Sequence, residues 1–125
     1  MGEIDRRKHA RIKASNLIAY MCMDGKGRLF SQGMGKASNI SRRGLMLETF
    51  DPIDSNSVSL MATGNDNNLI KIQGSVIYCR KADTGMYQSG ISFVGKTSEM
   101  DHFATELVRA YHYRKNDHLS VADAA

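Results

Sequence analysis

The sequence predicts a fold dominated by β-structure: an antiparallel barrel or sandwich of about six strands, followed by one C-terminal α-helix. Three observations predict it. Clusters rich in Gly, Asn, Asp and Pro recur along the chain and separate short segments suited to strands. Within those segments polar and apolar residues alternate, which is the period of a strand with one buried face. Near residue 98 the period changes to that of an amphipathic helix.

The predicted strands lie between turn-rich clusters of the sequence. The clearest alternation is near the middle of the chain, where Lys71 and Gln73 interrupt a row of apolar and small residues. The row expected on one face of that strand consists of Ile70, Ile72, Gly74, Val76 and Tyr78. The six predicted strands cover residues 17–24, 29–40, 44–50, 57–62, 69–80 and 86–94.

A helix is predicted to begin at about residue 98, because Ser98 and Asp101 have the spacing of a capping box. An apolar stripe with helical spacing follows. Its members are Phe103, Leu107, Ala110 and Tyr111. Past Tyr113 the stripe fades and the remaining residues are polar and small, so we expect residues 114–125 to form a disordered tail.

The length and composition are those of one domain. The chain has 125 residues, of which 42% are hydrophobic and 24% charged, as in ordinary folded proteins. We expect a flexible basic arm in residues 1–13, and the barrel with its helix in residues 14–113. No apolar stretch is long enough for a signal peptide or a membrane span, so a cytoplasmic protein is expected.

The cysteines and histidines do not have the spacing of a metal or catalytic site. Cys22 and Cys79 are isolated in apolar surroundings, so we expect reduced core thiols; a disulfide is open only if their strands are neighbours. The histidines lack metal-ligand spacing and are not paired with a convincing nucleophile. They are His9, His102, His112 and His118. The sequence therefore predicts neither an enzyme nor a metal site.

Positive charge is concentrated near the N-terminus. The net charge is +4, and five basic residues fall within eight positions: Arg6, Arg7, Lys8, Arg11 and Lys13. Such a cluster favours an anionic partner, although composition alone favours a solvated arm that binds nothing in particular. Arg7 and Arg11 have RxxxR spacing ahead of the first strand. Because guanidinium makes two-pronged contacts with phosphate or with the O6 and N7 edge of guanine, a guanine nucleotide would suit this arm.

A second motif, NxSxxG, lies at a junction between two predicted strands. It consists of Asn39, Ser41 and Gly44. The amide and the hydroxyl can hydrogen-bond a purine edge or a phosphate, and the glycine permits a tight turn or a close approach of two backbones. Considered alone, the segment is better explained as a polar hairpin corner.

The order and spacing of these motifs resemble the PilZ family. RxxxR precedes a β-rich stretch, NxSxxG follows about thirty residues later, and the sequence SGISF at 89–93 ends the last strand before a helix. The resemblance extends from about Asp5 to about Tyr113. It implies a six-stranded antiparallel split β-barrel whose ligand is the bacterial second messenger cyclic di-GMP.

The resemblance also implies roles for individual residues. Arg7 and Arg11 would clamp guanine and phosphate groups of the ligand. Asn39 and Ser41 would bond a guanine from below, and Gly44 would shape the turn. Many relatives have Asp where this chain has Asn39; the amide keeps an acceptor but loses the charge, which predicts a modestly lower affinity.

Four further residues are candidates for secondary ligand contacts. Arg6 and Lys8 flank the first motif and would add phosphate contacts, as basic neighbours do in similar proteins. Tyr78 and Arg80 would offer an aromatic face and a guanidinium plane to a base, where stacking contributes about 1–3 kcal/mol. For Tyr78, packing in the core is the interpretation that the sequence favours slightly over ligand contact.

The sequence therefore predicts a receptor or adaptor that binds cyclic di-GMP, orders residues 5–12 on binding and signals to a protein partner. Two other functions stay open. One is a basic small barrel that binds single-stranded nucleic acid through the same arm, although Tyr and Phe form no obvious stacking platform. The other is a PilZ-like module that binds only proteins, against which both intact motifs argue.

Overall fold

Six strands form an antiparallel barrel that is followed by a helix. The computed structural model of the protein describes residues 16–64 and 67–124. Every predicted strand is present, and each boundary lies within two residues of the expected one. The elements are β1 (Asn16–Met23), β2 (Leu29–Ser38), β3 (Gly44–Thr49), β4 (Ser57–Thr63), β5 (Leu69–Lys81), β6 (Tyr87–Val94) and α1 (Thr97–Ala124).

The strands close into a barrel in the order β1-β2-β3-β6-β5-β4, with β4 pairing back onto β1. Of the two arrangements that alternation alone left open, the barrel is therefore the correct one. Tyr20 illustrates the closure, because it lies opposite Gly33 of β2 on one side and Leu60 of β4 on the other. The pairing of β3 with β6 places Met46 opposite Gly90, which brings two distant parts of the sequence together at one wall.

The interior of the barrel is filled by the inward residue of each alternating pair. Ile18, Leu47 and Leu60 are fully buried, whereas their neighbours along each strand are more exposed. Burial of one such side chain contributes about 1.5–3 kcal/mol, so the alternation fixes which face of each strand turns inward. The same burial holds the walls of the barrel in place around the functional residues described below.

Strand β5 departs from the predicted alternation near its middle. Ile70, Ile72 and Gly74 are buried as expected, but the register with β6 shifts between Val76 and Tyr78. Such a shift rotates the strand locally, so residues past it no longer continue the original face. The side chain of Tyr78 is 42% exposed, and the alternative that it packs in the core is wrong.

Helix α1 begins one residue before the predicted start and packs on the barrel. The backbone N–H of Lys96 donates to Oε1 of Glu99 at 2.9 Å. The side chain that caps the first turn is therefore that of Glu99, and the predicted pair of Ser98 with Asp101 is wrong. The expected apolar stripe is confirmed, since Phe103 is among the largest fully buried side chains and its ring meets Phe93 edge-on at 5.4 Å.

The C-terminal part of α1 extends further than the sequence indicates. The helical backbone continues to Ala124, through the segment 114–125 for which we expected a disordered tail. No Gly or Pro occurs after residue 95, so nothing in the local sequence interrupts a helix once it has formed. Within the described residues, no helix has the length and apolarity needed to cross a membrane.

Both cysteines are free thiols. Cys22 is buried in β1, while Cys79 is only half-buried in β5. Strand β4 lies between β1 and β5 in the barrel, so the two cysteines do not lie on neighbouring strands. Cys22 thus lies in the core as expected, whereas Cys79 does not, and the condition under which a disulfide was considered is not met. That both thiols are reduced stays a prediction.

Candidate functional site

The NxSxxG motif forms a turn between β2 and β3, here called the 39–44 turn. Asn39 has a φ of 51°, in the left-handed region that Asn tolerates better than most residues. The backbone N–H of Ser41 donates to the carbonyl of Gly44 at 2.8 Å, and the N–H of Arg43 donates to Oγ of Ser41 at 3.3 Å. Ile40, between Asn39 and Ser41, is fully buried in the core. The turn is thus held by its own hydrogen bonds and by one apolar side chain.

Gly44 begins β3 at a point where two backbones nearly touch. A methyl group at this position would overlap the carbonyl oxygen of Ile91 in β6. Of the two roles that the sequence allowed for this glycine, close approach of the backbone is therefore the one that applies. The approach brings the 39–44 turn directly against β6.

Tyr78 lies across the outside of the barrel beside this turn. Its ring covers Gly90, where a methyl group would overlap the ring carbons. The guanidinium carbon of Arg80 is 5.3 Å from the centroid of the Tyr78 ring, within the range of a cation–π contact. The absence of a side chain at Gly90 lets the ring lie close to the backbone of β6.

A cavity of about 290 Å³ lies between the 39–44 turn, β6 and the shifted part of β5. It brings together four residues predicted from the sequence: Asn39, Ser41, Gly44 and Tyr78. The cavity therefore combines amide, hydroxyl and aromatic groups beside the point where Gly44 lets β3 approach β6 closely. Its full lining is Asn39, Ser41, Arg43, Gly44, Leu45, Met46, Ile77, Tyr78, Gly90, Ile91 and Ser92.

Arg43, Ile77 and Gly90 are among the lining residues that were not predicted from the sequence. Arg43 occupies a variable position of NxSxxG, so its basic character within the motif was the signal that would have identified it. Gly90 lies in the segment used to recognise the last strand, but only the pairing of β6 with β5 places it under Tyr78. No local pattern indicates that Ile77 lines the cavity, because the register shift decides its orientation.

Arg42 turns away from the cavity and contacts the helix. Its Nε and Nη2 atoms donate to the two carboxylate oxygens of Asp101 at 2.8 and 2.7 Å. The hydrogen bond and the negative charge of Asp101 raise the pKa of the Arg42 guanidinium above its ordinary value, so this group stays charged. Adjacent arginines of the 39–44 turn thus face different parts of the molecule.

The RxxxR arm lies outside the described residues. Arg7 and Arg11 belong to it, as do the flanking Arg6 and Lys8. Their predicted roles stay predictions. Among the residues that the structure does describe, no group of three or more His, Cys, Asp or Glu side chains is placed to hold a metal ion.

A larger cavity of about 410 Å³ lies between β5, the end of β6 and the start of α1. Its lining includes Lys71, Glu99 and His102, and it contains none of the predicted site residues. Size alone would favour this larger cavity. Its lining, however, includes neither the tyrosine ring nor the two NxSxxG side chains that line the smaller cavity. The smaller cavity is therefore the better candidate site.

A family model described as "PilZ domain" matches residues 5–110, which is most of the chain. No curated protein matches the sequence.

Solved structures share the fold at low identity. The PilZ domain of YcgR from Escherichia coli, solved with c-di-GMP, has a TM-score of 0.52 and 11% identity; the match covers 96% of this chain and 99% of that one. A complex of K. pneumonia MrkH with c-di-GMP has a TM-score of 0.57 and 16% identity, over 82% of this chain and 52% of that one. The MrkH apo structure matches at 0.54 and 17%, over 82% and 51%. This chain therefore spans about half the length of MrkH, and at these identities the likeness concerns the fold.

Proposed function

Because the chain belongs to the PilZ domain family, we propose that it is a receptor for cyclic di-GMP that passes the signal to a protein partner. The observation that carries this proposal is the cavity in which Asn39, Ser41 and Arg43 converge beside the ring of Tyr78. These groups match a guanine nucleotide in kind: hydrogen-bonding groups for a base edge, a cation for phosphate and an aromatic face for stacking. Both MrkH and YcgR have been solved with c-di-GMP.

Asn39 and Ser41 recognise the guanine in this proposal. Both side chains line the same cavity, and the buried Ile40 holds the backbone between them. An amide carbonyl and a hydroxyl oxygen can accept hydrogen bonds from the N1 and N2 groups of guanine. Gly44 lets the turn that carries these two side chains lie directly against β6. Tyr78 then stacks on the base.

Arginines neutralise the phosphates. Arg43 lines the cavity, and the guanidinium of Arg80 lies over the ring of Tyr78. A cavity of about 290 Å³ is at the small end of ligand pockets, so it fits part of a dinucleotide. We therefore assign the rest of the ligand to Arg7 and Arg11, with Arg6 and Lys8 adding phosphate contacts.

Signalling follows from this division of the site between the barrel and the arm. The ligand carries two negative charges, and the arm has a basic cluster that gains its counter-charges when the ligand arrives. Binding thereby orders residues 5–12 against the barrel and changes the surface offered to a partner protein. Hydrogen exchange in residues 5–12 should slow when the ligand is added.

The decisive experiment is calorimetric titration of the protein with cyclic di-GMP, in parallel with GTP, cyclic di-AMP and a short single-stranded RNA. We expect binding of cyclic di-GMP alone, and its loss in Arg7→Ala and in Arg11→Ala. Arg109→Ala is the matched control, since it removes an exposed arginine of α1 that does not line the cavity.

Three results would contradict the proposal. Equal affinity for RNA would favour a nucleic-acid-binding barrel. No binding of any nucleotide would favour a module that binds only proteins. Retention of full affinity in both arm variants would remove Arg7 and Arg11 from the site even if cyclic di-GMP binds.

A further inference from the structure

We propose that Arg42 is a positioning residue for the cyclic di-GMP site, acting through its ion pair with Asp101. In this role Arg42 does not contact the ligand. It holds the 39–44 turn against α1, in the shape in which Asn39 and Ser41 receive the guanine. The role rests on the proposed function as far as the ligand is concerned, whereas the coupling of the turn to the helix can be tested without any ligand.

The ion pair has the geometry expected of a specific contact. Two parallel hydrogen bonds of 2.8 and 2.7 Å join the planar guanidinium of Arg42 to the carboxylate of Asp101. This fork arrangement fixes the relative orientation of both groups, unlike a single point-charge contact. It connects a six-residue turn to a helix that begins more than fifty residues later in the chain. By contrast, the ion pairs of Arg28 with Asp24 and of Arg109 with Glu106 each join residues only three or four positions apart.

Neighbouring hydrogen bonds show that the turn and α1 form one connected unit. The carbonyl of Arg43 accepts from the N–H of Phe93 at 2.7 Å, and Phe93 packs edge-on against Phe103 of α1. Arg42 supplies a second connection to the same helix. The turn is thus held at two points: by the hydrogen bond from Phe93 to Arg43 and by the ion pair of Arg42 with Asp101.

The turn contains one residue in a backbone conformation that residues other than glycine adopt infrequently. Asn39 has a φ of 51°, in the left-handed region. A ligand that must first order its binding loop loses affinity by the cost of that ordering. The Arg42–Asp101 pair is largely exposed, so its effect should appear in ligand affinity and local exchange with little change in global stability.

The affinity test compares Arg42→Ala, Asp101→Asn and the double variant with the unmodified protein, by calorimetric titration with cyclic di-GMP. We expect each single variant to bind about two- to fivefold more weakly, and the double variant no more weakly than either single one. Arg109→Ala serves as control. It removes an exposed arginine of α1 that is not part of the pair with Asp101, and it should leave affinity unchanged.

Asp101→Asn also separates positioning from direct contact. If Arg42 binds a phosphate itself, removal of the competing carboxylate leaves affinity unchanged or increases it. If Arg42 acts through Asp101, affinity falls to the level of Arg42→Ala. An unchanged or tighter Asp101→Asn, or losses that multiply in the double variant, would overturn the proposal.

The ligand-free test is amide hydrogen exchange at the N–H groups of Ser41 and Phe93, which donate to Gly44 and Arg43. We expect faster exchange at both in Arg42→Ala and in Asp101→Asn, but not in Arg109→Ala. Unchanged exchange would overturn the coupling of the turn to α1. Faster exchange in a protein that fails to bind cyclic di-GMP would uphold the coupling while refuting the proposed ligand.

Discussion

Gly44 is the residue at which backbone packing and the candidate site depend on each other most directly. Its Cα faces the carbonyl of Ile91, and an added methyl group would meet backbone atoms, which cannot rotate away as a side chain can. We expect Gly44→Ala to lower the free energy of unfolding by about 1–3 kcal/mol. Urea denaturation measures this change.

Gly25 provides the matched control for Gly44. It lies in the exposed turn after β1, and an added methyl group would have no atom within 4 Å. Gly25→Ala should therefore change the free energy of unfolding by less than about 0.5 kcal/mol. Equal losses in the two variants would show that the contact with Ile91 does not explain the result.

Tyr78 is exposed beside the cavity, so its contribution to ligand binding is separable from its contribution to the core. If its ring stacks on guanine, Tyr78→Ala should weaken binding of cyclic di-GMP by about 1–3 kcal/mol in a calorimetric titration. Tyr78→Phe keeps the ring and should bind normally. Equal losses in the two variants would instead assign the role to the hydroxyl group.

At the scale of elements, α1 depends on the barrel for its stability, because an amphipathic helix gains most of its stability from tertiary packing. Phe103 is fully buried and meets Phe93 of β6. We expect Phe103→Ala to lower the free energy of unfolding by about 3–5 kcal/mol, measured by urea denaturation. The exposed Thr105→Ala should have almost no effect. A small loss in Phe103→Ala would show that the helix and the barrel are energetically independent.

The elements themselves were largely predictable from the sequence, because turn residues and alternation are local signals. The strand boundaries follow from clusters such as 24–27 and 81–85, where Gly and Asp end each run of alternation. The cap of α1 was not identified correctly. Ser98 and Asp101 have suitable spacing, but Glu99 makes the bond to Lys96, and Asp101 is engaged by an arginine from a distant turn.

At the scale of the whole molecule, charge should dominate how affinity responds to conditions. The chain carries 17 Lys and Arg against 13 Asp and Glu, and the proposed ligand has two phosphates. We expect affinity for cyclic di-GMP to fall as salt rises from about 0.05 M to about 0.5 M, since screening shortens the range of attraction. Titrations at several salt concentrations measure the slope.

The salt slope also distinguishes arginines that contact the ligand from those that do not. Arg7→Ala should flatten the slope because it removes a proposed phosphate contact, whereas Arg109→Ala should leave the slope unchanged. An affinity that does not depend on salt would contradict a site in which arginines neutralise the phosphates.

The sequence by itself determined the strands, the position of α1 and the residue types of the NxSxxG motif, because periodicity and turn chemistry act over a few residues. It also identified Asn39, Ser41 and Gly44 as candidates before their surroundings were known. The family followed from the order of motifs along the chain, which needs no knowledge of contacts.

Only the tertiary structure decided which distant segments meet. The pairing of β3 with β6 sets Gly44 against Ile91, and the register shift in β5 turns Tyr78 outward over Gly90. Tertiary contacts likewise direct Arg43 to the cavity and Arg42 to Asp101. The physical reason is that closure of a barrel joins residues far apart in the chain, and local sequence patterns contain no information about such partners.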